Sequence, residues 1–335
     1  MTTSTHGWTL AASSFNWTWD VIRAQRSALE IAAAIPDAVG VDVIELEAGQ
    51  VFRSFPAPGD DEVDDLRVAL QAGGGRVSIV GGSIDDYRSP TDRRTEQERF
   101  AFLEPQLRAA QRAGAYGVRL PVGQAGRPLL ERLLPLLHEL NLTLYEEIQG
   151  PQPLDHPAVA TIRDLADPHL RLLVDISMFM PALPPTYLDE LRRGGISTSL
   201  VDRLADAWRE AATRDAVLGH LRAGGVPAPV HTLYMNLLIR FGRAPVEDLH
   251  DVLDIVGGFH LKFWDLDDED GRVSGPIRDL GRVLTTSGFR GTLTSEWGGH
   301  EWLPDSDPTT MTRNHLALAR RALGEAVKGH QVVTG

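Results

Sequence analysis

Short apolar runs alternate with amphipathic segments along the whole chain. Eight runs have the length and alternation of β-strands, and in the intervals between them apolar residues recur with a helical period. The runs begin near Trp8, Val41, Arg76, Tyr116, Leu142, Arg171, Gly258 and Gly291. Six of the seven intervals between these starts span 26 to 40 residues, enough for one strand, one helix and two loops. The repeated unit predicts a (β/α)8 TIM barrel rather than an open doubly wound sheet.

One interval is much longer than the others. The sixth and seventh runs start 87 residues apart, which predicts a helical insertion between strands 6 and 7, at about residues 178–245. Within it we expect a short helix ending at Gly194-Gly195 and a second helix over about residues 197–222. Because a segment that follows a barrel strand starts at the catalytic face, the insertion is predicted to form a lid or a partner surface.

Outside the insertion, residues 95–113, 129–140 and 246–256 show the apolar spacing of amphipathic helices. No long linker rich in Ser, Gly or Pro divides the sequence. We therefore expect residues 1–335 to form a single domain.

Composition excludes several classes of protein. The 335 residues are 42% hydrophobic and 24% charged, which is typical of a chain with a substantial core and not of a disordered one. The absence of cysteine excludes disulfides, thiolate metal sites and a cysteine nucleophile, and it favours a cytoplasmic location. We see no export signal or membrane-spanning segment in the sequence, and a net charge of −13 argues against nucleic-acid and membrane partners.

Alternation within the last four strands picks out a cluster of ligands. In each strand the mainly aliphatic set faces the helices, so the other set points into the barrel. One oxygen or nitrogen ligand then enters the lumen from each strand: Glu147, Asp175, His260 and Glu296. Three crowded carboxylates and one imidazole favour a hard divalent cation, Mn²⁺ or Mg²⁺.

One alternative remains open for the four candidate ligands. The carboxylates could instead be paired with cations in a metal-free binding or scaffolding barrel. Glu146 belongs to the helix-facing set and is expected to be a supporting residue rather than a ligand.

The motifs that carry these residues resemble a known superfamily. The segments LTLYEEIQG, LLVDIS, FHLKFWD and TSEWGGHEW occur in the order found in xylose isomerase-like TIM barrels, often called sugar phosphate isomerases/epimerases. The insertion, the KFWDLDDEDG run and the SEWGGH ending resemble more closely the large (alpha) subunit of C-glycoside deglycosidases. The resemblance implies a Mn²⁺-dependent lyase for 3-oxo-glycosides that assembles with a small β-sandwich subunit, with the same four residues as metal ligands.

Three positions depart from the patterns of relatives. Gln149 stands where many relatives have His or Asn, and glutamine cannot carry a proton. Ketose 3-epimerases have a histidine where this chain has Met178 and an arginine where it has Leu266. The last two differences lower the expectation of an epimerase.

The loops argue against a phosphorylated substrate. In TIM barrels phosphate usually binds at the loops after strands 7 and 8. Here five of the six residues in 265–270 are acidic, and residues 298–307 contain no Lys or Arg. We therefore expect a small-molecule sugar or glycoside without phosphate.

Such a site would remove a proton next to a ketone. Expulsion of a group from the β-carbon gives a lyase, the function we favour for a 3-oxo-glycoside. Return of the proton to carbon gives the alternative, an isomerase or epimerase of a non-phosphorylated ketose. Glu147 and Glu296 are expected to flank the reacting carbons.

Other residues have two interpretations each. Lys262 either pairs with an oxyanion or neutralises carboxylates, and His300 either protonates the leaving group or is an ordinary loop histidine. Arg119 either orients a sugar hydroxyl or balances Glu45. Gln149, Tyr145 and Trp297 are the further candidates for substrate contact, against packing for the aromatic pair.

Overall fold

The structure, a computed structural model, describes residues 7–334, and the side chains of residues 7–328. Eight parallel strands close into a barrel, and each begins within two residues of the expected position. The predicted (β/α)8 barrel is confirmed. In chain order the barrel strands are β1 (Thr9–Ser13), β2 (Val43–Glu47), β3 (Arg76–Gly81), β4 (Gly117–Pro121), β5 (Thr143–Ile148), β6 (Leu170–Asp175), β7 (Val256–Phe263) and β8 (Thr292–Trp297).

Helices surround the barrel and cover its C-terminal end. They are α1 (Thr18–Arg23), α2 (Ala28–Val39), α3 (Ala48–Val51), α4 (Asp60–Ala72), α5 (Glu96–Arg112), α6 (Arg127–Leu140), α7 (Pro157–Leu165), α8 (Pro185–Arg193), α9 (Thr198–Asp206), α10 (Ala211–Arg222), α11 (His231–Ile239), α12 (Ser274–Ser287) and α13 (Pro308–Thr334). Short 3₁₀ segments occur at Ser14–Trp17, Ile176–Phe179, Ala228–Val230, Val246–Asp251, Leu253–Ile255, Glu269–Gly271 and Gly299–Glu301.

Two of the predicted helices agree closely with the structure. Helices α5 and α6 occupy the segments expected at 95–113 and 129–140. Helix α5 begins at a capping box, in which the Glu98 backbone N–H donates to Thr95 Oγ1 and the Thr95 backbone N–H donates to Glu98 Oε2.

The helix predicted over residues 246–256 is wrong. The segment forms two 3₁₀ turns, and β7 has begun by Val256. Its apolar residues Val246, Leu249, Val252 and Ile255 are spaced by three, which is the period of a 3₁₀ helix rather than of an α-helix.

The prediction of a single helix over residues 197–222 is also wrong, because the helical conformation is interrupted between α9 and α10. Ala207 leaves the helical conformation, with φ −136° and ψ 36°. The next residue, Trp208, is buried beneath Arg243, whose Nε–H donates to the Trp208 carbonyl at 2.8 Å. This contact holds Trp208 outside a helix.

Helices α8–α11 form the predicted insertion between β6 and β7. They share an apolar cluster of their own, to which Trp264 and Trp302 contribute from the loops after β7 and β8. Glu301, in the loop after β8, also bonds Asn236 and pairs with Arg240 at the end of α11. The insertion is therefore fixed to the C-terminal face of the barrel.

A two-stranded hairpin, Tyr87–Ser89 with Asp92–Arg93, follows β3 and was not predicted. Within the described part of the chain, no helix is both long and apolar enough to cross a membrane. The single domain over 1–335 stays a prediction, and residues 1–6 and 335 lie outside the described range.

His315 of α13 gives the fold a dependence on pH. Its ring stacks on Phe263 with centroids 3.8 Å apart, and Nδ1 lies 2.8 Å from Ser295 Oγ. Burial lowers the pKa of His315 to about 3. Below pH 6.5 the unfolded chain takes up a proton that the folded protein does not, so the free energy of unfolding falls as pH falls, until about pH 3.

Replacing His315 by Gln is expected to reduce this loss. Between pH 7 and pH 5 the free energy of unfolding should fall by about 2 kcal/mol more in the wild type than in His315→Gln. Urea unfolding at both pH values measures the difference. Equal losses in the two proteins would show that His315 is not the group responsible.

Candidate metal centre

Four side chains from consecutive strands meet inside the barrel near its C-terminal end. Glu147 lies on β5, Asp175 ends β6, His260 lies on β7 and Glu296 on β8. Each offers one ligand atom, and these atoms all lie within 4.8 Å of one another. All four side chains are buried. The structure thus brings together the four residues that strand alternation selected.

His260 lies at the centre of the cluster. Its Nδ1 is 2.9 Å from Glu147 Oε1 and 2.6 Å from Glu296 Oε2, and its Nε2 is 2.9 Å from Glu45 Oε1. Burial opposes protonation, but the three surrounding carboxylates raise the pKa of His260 well above its ordinary value.

The carboxylate oxygens have capacity for a further partner. Asp175 Oδ1 accepts the Ser177 backbone N–H at 2.8 Å, whereas Asp175 Oδ2 is buried without a hydrogen-bond partner among the described residues. Burial raises the pKa of Asp175 to about 6. Buried carboxylate oxygens without partners are costly unless a cation neutralises them. Three hard oxygen donors and one imidazole therefore fit a divalent cation.

Arg119 on β4 pairs with three carboxylates. Its Nε–H donates to Glu45 Oε1 at 2.8 Å and Nη1 donates to Glu147 Oε2 at 2.6 Å, and Nη2 pairs with Glu47. The structure thus shows the pairing with Glu45 that one of the two interpretations expected. Despite burial, Arg119 and then His260 lower the pKa of Glu147 to about 2.

Gly81 makes room for this network. A Cβ atom there would lie 2.7 Å from Arg119 Nη2, too close for any side chain.

Lys262 supplies the second permanent cation. Its Nζ lies 3.1 Å from Glu296 Oε1 and 4.9 Å from the ring centre of Phe15, in the segment that follows β1. The contact with Glu296 fits the carboxylate-neutralising interpretation, and the position beside the cluster also fits the oxyanion interpretation. With His260 neutral and all five carboxylates ionised, the two permanent cations leave three negative charges in excess; the five belong to Glu45, Glu47, Glu147, Asp175 and Glu296.

His300 lies on the same side of the barrel mouth as Lys262. Its ring centre lies 4.9 Å from that of Phe15, with the two rings at 68° to each other, and its Nδ1 is 3.1 Å from the Trp297 carbonyl oxygen. Burial, and next the charge of Lys262, lower the pKa of His300 below its ordinary value. Since Nδ1–H donates to the carbonyl, Nε2 is left as the proton-accepting nitrogen.

The residues that were predicted to contact substrate lie in different parts of the barrel. Gln149 follows β5 and is half-buried at the C-terminal end of the barrel. Trp297 is 1% exposed and its indole N–H donates to the Trp264 carbonyl at 2.7 Å, so its predicted contact with substrate stays a prediction.

Tyr145 points toward the opposite end of the barrel. A Cβ atom at Gly257, near the start of β7, would lie 2.7 Å from the Tyr145 ring, and Gly117 at the start of β4 also makes room for it. Together with Ile79 and Leu173 the ring forms a small apolar cluster. Tyr145 therefore fills the lumen below the carboxylates, a placement that argues against the predicted substrate contact.

Sequence reasoning missed the place of β2 in the site. Glu45 was considered only as a partner of Arg119, and Glu47 was not considered. Both belong to the set opposite Ile44 and Leu46, so the alternation that selected the other ligands also pointed them inward. Burial raises the pKa of Glu47 to about 7. Glu146, by contrast, lies outside the cluster, where its Oε2 accepts the Gly123 backbone N–H.

Comparison with known proteins finds several relatives, among them two that are 30% identical to this chain. Over 295 residues the chain is 30% identical to the C-glycoside deglycosidase alpha subunit of Arthrobacter globiformis, covering 85% of this chain and 83% of the relative. Over 302 residues it is 30% identical to the 3'-dehydrocarminate deglycosidase alpha subunit of a Microbacterium species, covering 84% and 86%. No family model matches the chain.

Among solved structures, a D-psicose 3-epimerase crystallised with D-fructose superposes with a TM-score of 0.57 and 14% identity, covering 94% of this chain and 99% of the other. At this identity the likeness concerns the fold, and it supports the barrel described above.

Proposed function

The chain belongs to the family of C-glycoside deglycosidase alpha subunits, and from this premise we propose that it is a metal-dependent lyase that eliminates the aglycone from a 3-oxo-glycoside. It is an enzyme, as its named relatives are. The observation that carries the proposal is the buried cluster of Glu147, Asp175, His260 and Glu296, in which Asp175 Oδ2 has no hydrogen-bond partner among the described residues.

These four residues would hold the metal, for which the oxygen-rich donor set favours Mn²⁺ or Mg²⁺. A bound divalent cation supplies Lewis acidity, which stabilises negative charge on the oxygen of a ketone. Lys262 adds a fixed positive charge beside Glu296, where it can pair with the same developing charge. In this proposal Glu147 and Glu296 would hold the metal and would also lie next to the reacting carbons.

The reaction begins with loss of the proton on C2, next to the C3 ketone. The electron pair of the broken C2–H bond moves toward the ketone oxygen. When the ketone re-forms, that electron pair makes a C1–C2 double bond. The bond between C1 and the aglycone breaks at the same time, and its electrons leave with the aglycone, which then takes up a proton. No water is consumed, so the route applies to carbon–carbon and carbon–oxygen linkages alike.

His300 is our candidate for the proton carrier. Its Nδ1–H donates to the Trp297 carbonyl, so Nε2 carries the lone pair. Because its pKa is lowered, the ring is neutral at neutral pH and Nε2 can accept a proton. A proton taken from C2 would then be available to the leaving aglycone, which is the role predicted from the sequence. Gln149 cannot carry a proton, and we assign it and Arg119 to the binding of sugar hydroxyls or to the support of the site.

The end of β7 favours a substrate without phosphate. Phosphate groups often bind at the N-terminus of a helix. At the N-terminus of α12, however, the Asp268 carboxylate already accepts the backbone N–H groups of Val273 and Ser274, at 2.9 and 2.7 Å. The negative loop thus takes the place that a phosphate would need.

We also propose that the chain works with a second subunit. Its relatives are named alpha subunits, which implies at least one further kind of chain in their assemblies. A small β-sandwich subunit is the partner that we expect. Co-expression with candidate genes for such a protein, followed by size-exclusion chromatography with light scattering, would show a hetero-oligomer, and a chain that is fully active alone would contradict this part of the proposal.

The function is tested with purified protein, alone and with the partner if one is found. After removal of metal by a chelator, the protein is incubated with a 3-oxo-C-glycoside or with free ketoses, with and without Mn²⁺. We expect aglycone release only with Mn²⁺, and none from Glu147→Gln. Conversion of free ketoses without action on the glycoside would select the alternative, an isomerase or epimerase, and activity that is independent of metal on every substrate would overturn the central claim.

A further inference from the structure

Glu45 on β2 is a carboxylate of the lumen that the mechanism above does not use. It is 0% exposed. Its Oε1 accepts the Arg119 Nε–H at 2.8 Å and lies 2.9 Å from His260 Nε2. Its Oε2 has no hydrogen-bond partner within the described part of the chain. Glu45 therefore contacts His260 from the side opposite Glu147 and Glu296.

The contact determines which nitrogen of His260 is available. A neutral imidazole binds a metal through the nitrogen that lacks a proton. With Nε2–H donating to Glu45, the lone pair is on Nδ1. That atom faces the oxygens of Glu147 and Glu296, at 2.9 and 2.6 Å. A carboxylate behind a histidine ligand fixes its protonated nitrogen and the orientation of its ring.

We propose that Glu45 is a positioning residue for the metal: it holds His260 with Nδ1 directed into the cluster, and Arg119 holds Glu45 in place. The inference rests on the metal site of the proposed function. The three residues come from β2, β4 and β7, so the chain of contacts Arg119–Glu45–His260 crosses the lumen.

A purely electrostatic role is the competing explanation. In that case Glu45 would only neutralise Arg119, as Glu47 also does. Among the described residues, Glu47 pairs with Arg119 but makes no contact with His260. Glu47→Gln is therefore a matched control, since it removes a neighbouring carboxylate from the same arginine.

The experiment compares Mn²⁺ binding by the wild type, Glu45→Gln, Glu45→Asp and Glu47→Gln, using electron paramagnetic resonance to count free Mn²⁺. Glu45→Gln keeps the size of the side chain but not its charge, and Glu45→Asp keeps the charge but withdraws the oxygen from His260. We expect both Glu45 variants to bind Mn²⁺ about 10- to 100-fold more weakly, and Glu47→Gln to bind nearly as the wild type does. Circular dichroism in chelator checks that each variant is folded.

A second readout follows the histidine itself. In Mg²⁺-loaded protein with ¹⁵N-labelled histidine, the shift assigned to His260 by comparison with His260→Asn should show a protonated Nε2, and Glu45→Gln should weaken that signature. Equal affinities in all four proteins, or equal weakening by Glu45→Gln and Glu47→Gln, would overturn the inference while the metal site stands. A wild type that binds no Mn²⁺ would overturn the metal site and the inference together.

Discussion

Asp175→Asn is expected to weaken Mn²⁺ binding by more than about 100-fold, the upper limit for loss of an outer-shell partner, and to abolish metal-dependent turnover. Asn has the size of Asp and keeps an oxygen for the Ser177 backbone N–H, which Asp175 Oδ1 accepts at 2.8 Å. The amide nitrogen then replaces Oδ2, the buried oxygen that has no hydrogen-bond partner among the described residues, and an amide NH₂ has no lone pair to offer a cation. Titration calorimetry with Mn²⁺ measures the affinity, and aglycone release measures turnover.

Asp265→Asn is the matched control for this prediction. Asp265 is also a buried carboxylate beyond a barrel strand, but its Oδ2 accepts the backbone N–H and the hydroxyl of Thr186. Its replacement should leave the Mn²⁺ affinity unchanged. If Asp175→Asn bound Mn²⁺ as tightly as the wild type, Asp175 would not be a ligand, and the cluster would be better explained by paired charges alone.

The barrel could be predicted because its strands carry a local signal. A strand such as Leu170–Asp175 places aliphatic side chains beneath the helices at every second position, and this pattern does not depend on distant residues. The same alternation selected Glu147, Asp175, His260 and Glu296, since a charged residue on the inward face of an aliphatic strand stands out.

Alternation does not give the height of a residue in the barrel. Tyr145 shares the inward face with Glu147 but precedes it by two residues, so it lies about 6–7 Å lower along the strand. There its ring fills the bottom of the lumen, beside Gly117 and Gly257. Alternation therefore predicts the inward direction of Tyr145 but not the depth that argues against a contact with substrate.

Contacts across the lumen are also beyond local patterns. Glu45 and His260 are 215 residues apart and meet only because β2 and β7 belong to one closed barrel. The inward direction of Glu45 could be predicted from Ile44 and Leu46, but its partner could not.

The insertion was predicted in place but not in detail. Its helices are stabilised by tertiary contacts, such as the one between Arg243 and the Trp208 carbonyl that marks the break after α9. A periodic apolar pattern continues through such a break, so it predicts one helix over residues 197–222. In residues 246–256 the apolar period of three was close enough to 3.6 to be mistaken for an α-helix.

Arg119 has the largest expected effect on stability among the residues of the lumen. Three carboxylates, those of Glu45, Glu47 and Glu147, pair with its guanidinium, and the Arg119 side chain is only 10% exposed. Loss of the cation would leave these charges buried with Lys262 as the remaining permanent cation of the cluster. A buried charge that loses its partner is strongly destabilising, because neither water nor another cation replaces it.

Arg119→Met is therefore expected to lower the free energy of unfolding by about 3–5 kcal/mol in chelator, measured by urea unfolding at pH 7. Arg108→Met is the control: Arg108 pairs with Glu104 and Glu139 on the surface, where such a pair contributes about 0–1 kcal/mol. If Arg119→Met and Arg108→Met unfolded at the same urea concentration, the buried network would not be a principal source of stability.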